Sequence, residues 1–184
     1  MSEQVFKKQD IAQVLTEELS RLAERIKENH RRAGQVASGR TLRSITYEVT
    51  EDRGTLWGRK PFGTLETGRG PTRKRGNPPI RLDEIIYQWV IDKGIHVPPM
   101  PYKRKPSERW QPKYNSAEER ALRSFSSAVA HKIHKEGTQL FRNQGRNDIY
   151  SNEIPDAIER IEKRITAIFE TIVQSIHINQ AKAE

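Results

Sequence analysis

The sequence predicts an α+β protein, a small antiparallel hairpin packed against several α-helices and interrupted by long basic loops. Three observations predict it. Apolar residues recur at spacings of three and four over four separate stretches, as amphipathic helices require. One stretch alternates apolar and polar residues with period two, which marks a half-buried strand. Two stretches crowded with Gly, Pro, Lys and Arg break any regular pattern.

A length of 184 residues suits one domain with a genuine core. The expected organisation is a single domain over 1–184: an N-terminal helix in 1–34, an α+β core in 35–141 with extended basic loops at 59–81 and 96–115, and an amphipathic C-terminal helix in 150–180. Only 34% of residues are hydrophobic, so the core is modest and partner subunits are expected to add burial.

The first helix carries Ile11, Val14, Leu15, Leu19, Leu22 and Ile26 on one stripe. Asp10 with Gln13 fits a capping box at its start, and His30, Arg31 and Arg32 before Gly34 fit its end. Glu17, Glu24 and Lys27 read as its solvated face. Val36–Arg43 reads as a loop with one helical turn. Ile45, Tyr47 and Val49 then alternate with Thr46, Glu48 and Thr50, and the turn residues Asp52, Arg53 and Gly54 return the chain through Thr55, Leu56 and Trp57. A hairpin over about Ser44 to Arg59 follows.

Between Arg59 and Arg81 seven basic residues stand against Glu66 alone, a local charge of +6 on a loop that the glycines and prolines make flexible. A helix over about Leu82 to Lys93 comes next, with Leu82, Ile85, Ile86, Trp89 and Val90 facing a core and Gly94 stopping it. From Ile95 to Asn115 five prolines exclude a helix, and Tyr102, Trp110 and Tyr114 among basic residues favour order supplied by a partner. Ser116 and Glu119 open a further helix whose stripe is Leu122, Phe125, Val129 and Ile133, ending at Gly137, with Leu140 and Phe141 as satellites. The last helix runs from about Pro155 towards His177. Its heptad-like isoleucines suit either a partner helix or the chain's own core.

Chemistry is sparse. His131 and His134 share a helix face but lack the further ligands a zinc site needs. His96 has no carboxylate cluster beside it for two-metal phosphodiester chemistry, and no GxSxG elbow surrounds Ser124, Ser126 or Ser127. GRGPTRKRG lacks the GK[ST] ending of a nucleotide-binding P-loop. The sequence therefore predicts no catalytic residue, no metal and no cofactor. The absence of cysteine removes thiolate sites, and no apolar run is long enough to span a membrane. A start without an apolar signal region makes a soluble intracellular product the default expectation. The net charge of +9 points to nucleic acid, acidic protein faces or anionic membrane as partner classes.

The order of motifs carries a resemblance. Ser38, Gly39, Arg40, Leu42, Ser44 and Ile45 follow the first helix; Leu65, Glu66 and Gly68 form an LE-x-G segment; and Gly68, Arg69, Gly70 and Pro71 open the basic loop. Trp89, Lys93, Gly94 and Ile95 close a helix, and Ile133, Glu136, Gly137 and Thr138 close the next. Over about Gln35 to Thr138 the chain resembles the head-to-tail connector family of tailed phages, also called tail-completion or neck proteins. The insertion from Pro98 to Asn115 departs from that pattern.

The resemblance implies a non-enzymatic virion protein, made in the host cytoplasm, that forms a sixfold or twelvefold ring at the neck. Such a ring contacts portal or adaptor and tail proteins, extends the channel for packaged DNA, and involves no membrane. Expected subunit- or DNA-contact residues are Arg69, Arg73, Lys74 and Arg75 in the first loop and Lys103, Arg104, Lys105, Arg109 and Trp110 in the second. The rival reading is a free nucleic-acid-binding protein without sequence readout. A hydrolase built on His96, His131 or His134 ranks far behind.

Overall fold

The computed structural model describes residues 2–73, 80–101 and 116–181, with side chains over 10–73, 80–101 and 116–174. Seven α-helices and two strands lie in these residues: α1 (Ser2–Arg32), α2 (Arg40–Arg43), β1 (Thr46–Val49), β2 (Gly54–Trp57), α3 (Thr64–Thr67), α4 (Leu82–Asp92), α5 (Ala117–Glu136), α6 (Gln139–Arg142) and α7 (Glu153–Ala181). A small antiparallel sheet among helices is the α+β class the periodicities predict. Two compact units gather these elements, one from residues 1–66 and 146–184, the other from 67–145.

In the first unit α1 and α7 run antiparallel, and the hairpin packs on α1. Strand β1 pairs with β2 in the register Thr46↔Trp57, Tyr47↔Leu56, Glu48↔Thr55 and Val49↔Gly54. The pleat sends Val49 and Leu56 towards the core while Thr46, Glu48, Thr55 and Trp57 face away. A side chain at Gly54 would collide with Leu19, so the hairpin lies directly against the helix. The core cluster is Leu19, Leu22, Ala23, Ile26, Ile45, Ile149 and Ala157, to which Phe62, Leu65 and Tyr150 add half-buried surface. Phe62 and Tyr150 stack at 5.0 Å between ring centroids.

Helix α1 begins at Ser2 rather than at the Asp10 cap, because residues 2–9 contain no helix breaker. Its face towards α7 is ionic as well as apolar. Glu18 is 2% exposed. It accepts from Arg160 Nε at 2.8 Å and from Arg164 Nη1 at 3.0 Å. Arg164 also bonds Glu17, expected to be solvated, and Glu153 accepts from Arg25 and from Asn29. Burial pushes the Glu18 carboxyl up, but the arginines outweigh it and hold it below its ordinary value. Glu18→Gln should therefore cost about 2 kcal/mol in urea unfolding, and an unchanged midpoint would show that the pairing is dispensable. Helix α7 also leaves Ile154, Ile158, Phe169 and Val173 exposed, so α1 covers only part of its apolar surface.

In the second unit α4 packs on α5. The expected core face of α4 is only half correct. Leu82 and Val90 are buried and Ile86 half-buried, whereas Ile85 is 48% and Trp89 39% exposed. The i, i+4 stripe 82–86–90 faces α5, and residues 85 and 89 lie to one side of it, about 100° and about 60° from its centre around the helix. On α5 the buried stripe is Ala121, Ser126 and Ala130. Leu122, Val129 and Ile133 flank it half-buried, and Phe125 is exposed. Small residues let α4 approach closely, and the larger ones close the sides of the contact. Arg123 crosses to α4, donating to both Glu84 oxygens and lying 4.0 Å from the Tyr87 ring centroid. The Ser116 cap is observed, its Oγ accepting from the Glu119 amide at 3.3 Å.

Candidate subunit or DNA contact surface

The glycine-rich opening of the first basic loop is pinned at its start. In the second unit the segment 67–73 runs along the corner where α5 ends and α6 begins. The Arg69 amide donates to Thr138 Oγ1 at 3.0 Å, and the Arg69 carbonyl accepts from the Thr138 amide at 2.8 Å. Three residues on, the Thr72 amide donates to the His134 carbonyl at 2.9 Å, and the Thr72 hydroxyl meets His134 Nδ1 at 2.7 Å. Thr138 in turn caps α6, its Oγ1 accepting from the Phe141 amide.

Gly68 makes this crossing possible. Its φ is +69°, and a Cβ there would lie 2.5 Å from the Phe141 nitrogen and 2.6 Å from Thr138 Oγ1. Any side chain would meet fixed backbone. The Gly68-Arg69-Gly70-Pro71 segment, expected as flexible loop, is thus held by the α5–α6 corner.

The pinned backbone presents Arg69 and Arg73, both exposed. Arg69 reaches Thr72 Oγ1 at 3.4 Å. Among the described residues Arg73 has no ion pair, and neither has Lys135, the neighbour of His134. Glu136, the acidic group at this corner, bonds Arg142 at 2.7 Å. The structure therefore joins two basic segments that bond across 62 to 69 residues of sequence. Lys135 and His134 were missed as members of the surface; the only sequence signal for them was the basic last turn of α5. Lys74, Arg75, Lys103, Arg104, Lys105, Arg109 and Trp110, the other expected contact residues, lie outside the described residues.

A second site-like feature is the LE-x-G glutamate. Glu66 is 3% exposed. It accepts from the amides of Ile149, Tyr150 and Ser151 at 2.9, 2.7 and 3.0 Å and from the Ser151 hydroxyl. Burial pushes this carboxyl up, yet the Ser151 hydroxyl and the three amides together bring it below its ordinary value. With three amides on Oε1, the Ser151 hydroxyl on Oε2 and the side chain buried, Glu66 is a brace for the turn into α7.

Among the described residues no group of three or more His, Asp or Glu is placed to hold a metal ion, and no helix is long and apolar enough to cross a membrane. His134 is engaged by Thr72, and His131 is exposed on the same helix. No family model matches the chain, and no curated protein and no solved structure matches it.

Proposed function

We propose that this chain is a structural virion protein of a tailed bacteriophage, a neck or tail-completion protein that assembles as a ring between portal and tail and extends the DNA channel. It has no catalytic role in this reading. The observation that carries it is the pinned basic corner. Arg69 and Arg73 stand out from a backbone fixed to α5 and α6, beside Lys135, with no carboxylate taking up Arg73 or Lys135 among the described residues. A backbone already held in place loses little freedom on contact, which suits repeated docking of its cations against a neighbour or a phosphate backbone. The motif order over Gln35–Thr138 supports the family, and the modest core with exposed Trp57, Trp89, Ile158 and Phe169 supports assembly.

Negative-stain imaging and sedimentation of the purified protein, alone and with portal, adaptor and tail components, test this. Rings or a stable complex with any of those components are expected, and Arg69→Glu with Arg73→Glu should weaken docking at least about tenfold. A monomer that binds none of them would sink the reading. The same basic corner favours nucleic-acid binding as second reading, in which monomeric protein binds duplex DNA with a logarithmic salt slope of about 0.9 per phosphate contacted.

A further inference from the structure

The hairpin of the first unit is electrically polarised along its length. Its base, where β1 begins and β2 ends, is flanked by Arg40, Arg43, Arg59 and Lys60, all exposed, and neither Ser38–Ile45 nor Gly58–Gly63 contains an acidic residue. One hydrogen bond ties the two flanks together, the Arg59 amide donating to Ser44 Oγ at 3.1 Å, and within the first flank Arg43 Nη2 donates to the Ser38 carbonyl at 3.1 Å. Arg43, Arg59 and Lys60 form no ion pair among the described residues. The other end is acidic. Glu48, Glu51 and Asp52 are exposed there against Arg53, and neither Glu48 nor Asp52 has an ion pair among the described residues.

Roughly 13 Å of strand separates the ends, at about 3.3 Å per residue. That exceeds the Debye length of about 8 Å at physiological ionic strength, so the two ends neutralise each other poorly and both stay available to a neighbour. On the outward face at the base itself, where it pairs with Thr46, Trp57 is 57% exposed. A large aromatic beside arginines is the residue combination of an interface anchor.

We infer that this hairpin is a head-to-tail contact between copies of the chain, the acidic tip of one copy seating on the basic base of the next against Trp57. A single polyanion would be drawn to the base and repelled by the tip, whereas a second copy satisfies both. Base and tip are different patches, so the contact is heterologous, propagates in one direction and closes into a ring where the rotation allows. The inference rests on the ring reading above and names the surface that builds the ring.

Charge reversal tests it. A tip variant, Glu48→Lys with Asp52→Lys, and a base variant, Arg59→Glu with Lys60→Glu, should each lose self-association at least tenfold by sedimentation. Mixed in equal amounts they should assemble again, because each then offers the other two opposite-charge contacts; this also proves both variants folded. Trp57→Ala should weaken assembly at least about tenfold. If wild type assembles and the single variants assemble equally well, the hairpin contact is wrong while the ring reading stands. A wild type that stays monomeric overturns the contact, and the ring reading falls only if portal and tail components are also not bound. A monomer whose DNA affinity is lost in the base variant alone would assign the patch to phosphates instead, again overturning the contact.

Discussion

Replacing Glu66 by alanine is expected to destabilise the protein by about 4 kcal/mol, because each buried donor left without an acceptor costs about 1–3 kcal/mol. The carboxylate accepts from three successive amides, Ile149, Tyr150 and Ser151, and from the Ser151 hydroxyl. Ile149 is fully buried and belongs to the core cluster, so water cannot replace the lost acceptor without opening the core. Glu66→Gln keeps the shape but turns one oxygen into a donor facing other donors, and about half of the loss is expected.

The same brace makes stability depend on acidity. The folded-state carboxyl sits below the ordinary glutamate value near 4.5. The unfolded chain therefore takes up the proton first as pH falls, so the contribution is full above that value and is lost as pH drops through the folded one. Urea midpoints should decline below about pH 4.5 in the wild type, and Glu66→Gln should flatten part of that decline. Glu18 and Glu153, also held low by arginine partners, act in the same direction. Equal stability of Glu66→Ala and wild type at neutral pH would dismiss the brace.

Gly68→Ala is expected to cost about 3 kcal/mol, combining left-handed backbone strain with overpacking of about 1–3 kcal/mol. The Cβ would press on the Phe141 nitrogen and Thr138 Oγ1, neither of which is the loose end of a flexible side chain. The segment would lift, and with it the Arg69–Thr138 bond pair that fixes the basic corner. Amide exchange at Arg69 and Thr138 should speed up accordingly. Gly63→Ala is the control, since nothing lies within 4 Å of its Cβ position. Matching unfolding midpoints for the two variants would refute the pinned corner.

Apart from the start of α1, which lies at Ser2 and not at Asp10, the periodicities located the long helices to within a few residues, and the alternation from Ile45 to Val49 located the hairpin, because both patterns are local consequences of burying one face. The Ser116 cap was legible for the same reason. Less legible was which part of each apolar stripe faces the protein. Ile85, Trp89 and Phe125 are exposed, since a stripe wider than the contact leaves its choice to the packing partner. The Lys60–Gly63 turn and α3 went unseen beneath the glycine and proline signals.

By itself the sequence determined the class of fold, its large elements, the basic loops and the LE-x-G motif, all of which depend on residues near one another in the chain. Only tertiary structure decided what those features do. It set Glu66 against amides more than 80 residues away, sank Glu18 between arginines of α7, and clamped the start of the basic loop to Thr138. Each depends on a partner brought close by folding, and a buried charge or a strained glycine is stable only where such a partner surrounds it.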